Sequence, residues 1–350
     1  MENNLLIKHK RFESIGVPKK TYLYKFPHKS DVYFNFFNNY AKENYTLVTT
    51  NCLCHNTKDK TVSHNDRCGV EFHVVICENC GLIRAKKYYS TVDLSNFYKE
   101  FYRDIMTNTG RHPTAQDLYN HQAKGGIGKS KFIKSFITDG NTNLTILDLG
   151  GGVGGILEHF KNNNTCVLAD YFDTYLNYAE SQGIKTIKGG LREVNINPDV
   201  VILSHVIEHW NDFESEIQAL IKIQKINQTL NYIEFPGVDS LKLGRRDADF
   251  LGDIHIPHMY YFSSYVFEDI MAMFGFKKIY LDSEIKGIFL YTGIKKQTNH
   301  NNYDRVVRDL LDAEKMRTKY SILSLIRGHL PKPILSAIRK IRPVSKTNKP

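Results

Sequence analysis

The chain has 350 residues, with 47 Lys and Arg against 37 Asp and Glu and a formal net charge of +10. Its composition, 41% hydrophobic and 24% charged, is that of a globular chain with a buried core, and the length suits two domains. No apolar run reaches the roughly 18 residues of a membrane-spanning helix, and six cysteines are too few for a disulfide framework.

Residues 1–45 form a polar, aromatic-rich leader without a readable motif. Its opening, MENNLLIKHKRFESIG, lacks the apolar core of a signal peptide, so a cytoplasmic location is expected. Residues 46–90 gather five of the six cysteines. Cys52-x-Cys54 and Cys77-x-x-Cys80 are two close thiol pairs, the second followed by Gly81. Such pairs on separate turns close a tetrahedral structural zinc site. Cys68 stands alone in NDRCGVEF, and His55, His64 and His73 compete as ligands, so the expected set is Cys52, Cys54, Cys77 and Cys80. Four protein ligands would make this Zn2+ structural; reduced, metal-free cysteines are the alternative.

Residues 91–143 read as a helical connector, broken from Gly110 to Pro113. Within it AKGGIGKS (123–130) nearly spells a phosphate-binding loop, but YNHQ precedes it where an apolar strand is required. It is expected to be a basic turn ahead of a helix over Ser130–Thr138.

From Leu144 short apolar runs alternate with helical stretches. Strands are expected at 144–150, 165–170, 184–188, 199–204 and 229–235, with helices such as Ile156–Asn162 and Phe213–Ile226 between them. This alternation predicts βαβ units and a parallel sheet covered on both faces. FKKIYL (276–281) and KGIFLYTG (286–293) are too close for a parallel crossover and should pair antiparallel. The expected fold class is therefore α/β, over 144–297, preceded by a small metal module.

LDLGGGVGGILEHF (147–160) runs from an apolar strand through Asp148, Gly150, Gly152 and Gly154 into a helix. Glycines there let the backbone approach a ligand, with helix N-terminal amides facing it. Twenty residues after Gly150 the next strand ends in Asp170, placed to accept hydrogen bonds from a ribose diol. The whole unit points to a nucleoside-containing cofactor.

The region 144–293 resembles the class I S-adenosylmethionine-dependent methyltransferases. LDLGGGVGG is similar to their first motif, Asp170 to their ribose acid, and DVVILSHVIEH (199–209) to their fourth motif. The resemblance implies S-adenosyl-L-methionine as cofactor, a Rossmann-like sheet with an antiparallel final strand, and further cofactor contacts at Gly190, Leu191, Ser204 and His205. His205, Glu208 and His209 follow a strand end and should line the pocket. HVIEH also fits an H-x-x-E-H peptidase pattern, but its place inside the fourth motif disfavours that reading.

The cysteine cluster followed by NFYKEFYRD resembles a subgroup in which a zinc module precedes the methyltransferase domain, as in bacterial sugar C-methyltransferases and surface-polysaccharide methyltransferases. GDIHIPHMYYFSS (252–264) is similar to its histidine- and aromatic-rich segment, although His255-x-x-His258 replaces the His-x-His of that subgroup. The resemblance implies His258 as first choice of base, His255 as second, and Tyr261 as an orienting group. The expected function is methyl transfer to a nucleotide-linked or surface-glycan sugar. The alternatives are an O-methyltransferase of a lipid-linked or phosphorylated acceptor, and an inactive zinc-containing binding protein.

The basic excess sits at the end. Residues 315–350 hold ten Lys and Arg and no acid, leaving 37 of each sign elsewhere. A neutral body argues against a nucleic-acid partner. Ile322, Leu325, Ile326, Leu330, Ile334 and Ile338 interleave with the charges. Such a segment, within the 298–350 tail, can lie on an anionic membrane at about 1 kcal/mol per basic residue. The alternative is a helix on the body with a solvated basic face, since Pro331 and Pro333 interrupt a long helix.

Overall fold

The computed structural model describes residues 32–102, 105, 113–138, 142–297 and 301–328, with side chains to 319. Of the leader, the described part is helical and folds into the core: Tyr33 and Phe37 are buried, and Phe36 and Phe37 pack on Phe97 at 5.5 Å between ring centroids. The cysteine region follows with β1 (Leu47–Thr49), β2 (Asp59–Asn65), β3 (Glu71–Cys77), β4 (Ile83–Ala85) and β5 (Lys87–Tyr89). β2, β3 and β4 form an antiparallel meander, while β1 pairs with β5. Inside the meander Arg84, 1% exposed, grips both carboxylate oxygens of Asp59 at 2.8 and 3.0 Å, and Lys86 adds a third contact at 2.6 Å. A bidentate pair of this kind fixes geometry as well as charge.

The connector begins with α1 (Thr91–Asn96), capped by Ser90, and continues into α2 (Ala115–Lys134). Thr114 and Asp117 build a capping box at the start of α2, and nothing stops the helix for 20 residues. AKGGIGKS is therefore helix interior, not the expected turn. One of its glycines serves close packing: a Cβ on Gly126 would stand 3.2 Å from the Ile156 Cα, and from the other side one on Gly155 of the glycine loop would stand 2.5 Å from the Tyr119 carbonyl. Helix and glycine loop approach each other because each offers a glycine.

The second sheet holds β6 (Thr145–Leu149), β7 (Thr165–Asp170), β8 (Lys185–Lys188), β9 (Val200–Ser204) and β10 (Leu230–Glu234) as parallel strands. After the two-residue β11 (Tyr260–Tyr261), which belongs elsewhere, β12 (Phe276–Leu281) and β13 (Lys286–Tyr291) complete it. The order is β12-β13-β10-β9-β6-β7-β8, and β13 runs antiparallel to both neighbours. This is the α/β, Rossmann-like sheet with an antiparallel final strand. Side chains alternate across it: Leu147, Leu149, Val201 and Leu203 join the core shared with the cysteine module, while Ile146, Leu168, Val200 and Ile202 face α2 and the glycine-loop helix. Burial on both faces is why these strands read as continuous apolar runs. The helix expected at Ile156–Asn162 is a 3-10 helix over Gly155–Phe160, short because Gly154 enters it left-handed and lysine and asparagines end it.

Helices α3 (Asp173–Ser181), α4 (Phe213–Lys222) and α5 (Ser264–Met273) complete the layers. The last helix, α6 (Tyr303–Gly328), lays Val306, Leu310 and Ala313 on the body and ties Asp309 to Lys242 and Tyr265 at 2.9 and 3.0 Å. Its start reaches the cysteine knuckle, where a Cβ on Gly81 would stand 2.8 Å from Val306 Cγ2. Residues 329–350, most of the basic tail, lie outside the described residues. Among the described residues no helix is long and apolar enough to cross a membrane.

Asp59→Ala would strand the buried Arg84 guanidinium. The expected cost is about 3–5 kcal/mol, read as a lower urea midpoint; an unchanged midpoint would deny the pair a structural role.

Candidate active site

The glycine loop leaves β6 with Gly150, Gly152 and Gly154 at φ of 62°, 63° and 73°, conformations that side chains resist. A Cβ on Gly151 would collide with the Asp148 carboxylate beneath it. Asp170, at the end of β7, accepts from the backbone amides of Gly152 (3.0 Å), Tyr171 (2.8 Å) and Phe172 (3.2 Å), so it fixes the loop as well as facing the cleft. Asp148 is buried, and its Oδ2 has no hydrogen-bond partner. Burial, then repulsion from Asp170, pushes its pKa up to about 7, against the pull of Lys129.

Two lobes of a cleft, about 320 and about 300 Å³, lie over the strand ends and share Gly150 and His205. The larger is lined by Asp170, Tyr171, Gly190 and Leu191 on one side and by Tyr98, Tyr102, His209 and Trp210 on the other. Asp148, Gly151, Ser204, Gln122 and Lys129 line the smaller. Lys129, from the interior of α2, bonds Ser204 Oγ at 2.9 Å and Glu234 at 2.8 Å. Of the residues expected at the cofactor, Gly150, Asp148, Asp170, Gly190, Leu191, Ser204 and His205 stand at the cleft, while Gly152 and Gly154 shape the loop behind it.

A wall of histidines closes the larger lobe. His205 follows β9 with φ of 59°, in the left-handed region, and is half exposed to the cleft. Its Nδ1 lies 3.3 Å from Glu208 Oε1, a bond that raises its pKa above the ordinary histidine value. Glu208 is 1% exposed, and its Oε2 has no partner. His209 donates from Nδ1 to the Pro257 carbonyl at 2.7 Å, and the Tyr98 hydroxyl lies 3.1 Å from the same nitrogen. Burial lowers the pKa of His209 and holds that of His258 well below the ordinary range, so both rings are neutral near pH 7.

The three residues expected to be catalytic lie in the segment behind this wall. His258 packs edge-on against His209 at 4.7 Å, with Nε2 4.0 Å from Glu208. His255 donates from Nδ1 to the Asp253 carbonyl at 2.9 Å, and the Tyr261 hydroxyl bridges the His255 amide and carbonyl at 3.1 and 3.2 Å. None of the three is among the residues lining the larger lobe. The segment is held by the cysteine module: β11 pairs antiparallel with β4, Ala85 donates to Met259 at 2.9 Å, and the Tyr88 hydroxyl donates to Pro257 at 2.9 Å. The sequence singles out neither Tyr98 nor Tyr102, and Lys129 only as part of a basic segment expected to flank the cofactor pocket. Their only signals were the four-residue spacing in NFYKEFYRD and a lysine inside the spurious phosphate-loop pattern.

In the module, Sγ atoms of Cys52 and Cys80 are 3.4 Å apart, Cys52 and Cys54 3.5 Å, and Cys54 and Cys77 3.6 Å. The edge of a tetrahedron built on zinc–sulfur bonds of ~2.3 Å is about 3.8 Å, so these four fit a metal ion. The Asn56 amide reaches Cys77 Sγ at 3.3 Å, a bond suited to a thiolate. Cys68 lies outside the quartet, its amide bonded to Asp66 at 2.8 Å, and His64 and His73 stack on each other.

Residues 119–281 match the family described as a methyltransferase domain, a stretch from α2 to β12 that takes in the glycine loop, Asp170 and the histidine wall. No curated protein matches the chain. Among solved structures it is similar to the magnesium protoporphyrin IX methyltransferase of Synechocystis PCC 6803 with bound S-adenosylhomocysteine, at 14% identity over 57% of this chain and 98% of that one, TM-score 0.40. It is also similar to a protein of Pyrococcus horikoshii OT3, at 14% identity over 56% and 97% of the two chains, TM-score 0.39.

Replacing Asp170 with alanine removes the acceptor of the Gly152, Tyr171 and Phe172 amides. A charged hydrogen bond contributes about 1.5–3 kcal/mol, so S-adenosylhomocysteine affinity should fall about 10–100-fold by calorimetry. Equal affinity would take Asp170 out of the cofactor site.

Proposed function

We propose that this chain, whose residues 119–281 match a methyltransferase domain, transfers the methyl group of S-adenosylmethionine to a sugar, nucleotide-linked or part of a surface glycan. The observation that carries this reading is the larger lobe. Beyond the Asp170 side its walls are aromatic faces, Tyr98, Tyr102 and Trp210, with polar groups from His205, His209 and Asn211 between them. Flat apolar surfaces edged by a few hydrogen-bonding groups suit a polyhydroxylated ring.

In this reading the adenosine lies against Asp170, Gly190 and Leu191, and the amino-acid end of the donor meets Lys129 in the smaller lobe. The methyl group then sits at the waist by Gly150 and His205, which both lobes share. Transfer is an in-line displacement: the acceptor forms a bond to the methyl carbon as the carbon–sulfur bond breaks, leaving S-adenosylhomocysteine. The acceptor proton leaves toward the histidine wall, where His205 is the ring most open to the cleft. The cysteine quartet holds structural zinc and braces that wall through β4 and β11.

Two measurements test the reading. Methyl-labelled donor should label a member of a nucleotide-sugar panel; label found in lipid or protein, and in no sugar, would overturn it. His205→Ala should slow that transfer about 100-fold or more while leaving S-adenosylhomocysteine affinity within a few-fold. For the module, Cys77→Ser should lose bound zinc by elemental analysis and lose turnover with it. A variant that keeps full turnover without zinc would uncouple the quartet from the site.

A further inference from the structure

The Glu208 carboxylate is buried among three imidazoles, yet one of its oxygens is unpartnered and two of the imidazoles are too far away for hydrogen bonds. His209 Nε2 lies 3.9 Å and His258 Nε2 4.0 Å from Glu208 Oε1, and the three donor atoms fall within 4.8 Å of one another. Groups coordinating one ion at ~2.0–2.2 Å sit about 3–4 Å apart. The two separations from Glu208 lie at the upper end of that range and leave room for an ion between the groups.

The proton positions point the same way. His209 places its Nδ1 proton on the Pro257 carbonyl at 2.7 Å, which leaves a lone pair on Nε2. That lone pair faces a carboxylate oxygen, an arrangement that repels unless a cation lies between. A ligating histidine commonly donates its other ring proton to a backbone carbonyl, which fixes its tautomer. Here the Tyr88 hydroxyl bonds the same carbonyl at 2.9 Å and holds it in place. Glu208 Oε2, in a residue 1% exposed, is the independent sign, since a buried carboxylate oxygen seldom lacks a partner.

We infer that Glu208, His209 and His258 form a second metal site, binding a divalent transition-metal ion behind the wall of the larger lobe, which His209 alone of the three lines. Two imidazoles and one carboxylate suit zinc, manganese, iron or cobalt better than magnesium. Three protein ligands leave coordination positions open, and His209 lines the cleft. Only the ion's role rests on the acceptor reading above. An acceptor hydroxyl binding there would give up its proton more readily, to the His205 ring that opens on the cleft. Its oxygen would then attack the methyl carbon while the carbon–sulfur electron pair goes to sulfur. Only the Glu208–His209 pair of the H-x-x-E-H pattern takes part, with His258 as the third ligand, while His205 bonds Glu208 from outside.

Cobalt(II) titration of the full-length, zinc-loaded protein tests the site. The expected result is one equivalent of cobalt with weak ligand-field bands and no thiolate charge transfer, lost in Glu208→Gln and in His258→Ala. S-adenosylhomocysteine calorimetry on each variant reports the fold and the cofactor site independently of metal. Charge-transfer bands alone, which place cobalt on the cysteines, would overturn the inference. So would ligand-field bands undiminished in both variants. Pulsed electron paramagnetic resonance of the wild-type manganese(II) adduct needs no variant: couplings to two imidazole nitrogens are expected, and their absence also overturns the site. Cofactor binding or sugar methylation can fail without touching these signals, so the two readings fail separately.

Discussion

A two-residue strand holds this molecule's two halves in one arrangement. Tyr260 and Tyr261 pair with Arg84 and Ile83, so the sheet that begins in the cysteine module ends in the methyltransferase domain. Two residues of ladder are weak by themselves. They are reinforced by Tyr88 on Pro257, by the Arg67 amide on Ile254 at 2.8 Å, and by the Ile256 amide on the Tyr33 hydroxyl at 2.9 Å. Every one of these bonds ends on the segment that carries His255 and His258. The position of the histidine wall is thereby set by the module as much as by the domain that surrounds it.

The opposite side of the cleft depends on a close crossing. α2 passes over the glycine loop at a distance only glycine permits, with Gly126 against Ile156 and Gly155 against Tyr119. The crossing sends Gln122 to the Gly155 amide at 3.0 Å and Lys129 to Ser204 and Glu234. A helix with alanine at these crossings would stand farther off and carry Lys129 out of the smaller lobe. Glycine costs a helix about 1 kcal/mol per residue relative to alanine, and here close approach offsets that cost.

The parallel sheet was legible in the sequence because its strands are buried on both faces and read as unbroken apolar runs; β7 falls on 165–170 to the residue. The glycine loop was legible because everything that defines it is local: a strand, three left-handed glycines and an acid twenty residues on. What escaped was decided at long range. β11 has no sequence signature, since a two-residue strand exists only when β4 is there to receive it. The glycines of AKGGIGKS look like a turn until Ile156 is seen beside Gly126. Tyr98 and Tyr102 fall in the helical connector without a role because nothing in NFYKEFYRD says that a cleft lies on one side. The described end of the leader reads as polar and motif-free, yet Tyr33 and Phe37 enter the core.

The seat of α6 on Gly81 also bears on the order in which the chain assembles. The knuckle after Cys80 is made well before Asn302 and Val306, which cover it. The Tyr33 bond to Ile256 spans 223 residues, and β4 must likewise wait for β11 from far along the chain. Contacts so distant in sequence form late, after their loop-closure entropy has been met. While the chain emerges, the module therefore stands with one sheet edge and its knuckle uncovered, and the quartet of cysteines, gathered from a stretch in which Cys52 and Cys80 are 28 residues apart, is the contact that can close before its partners arrive.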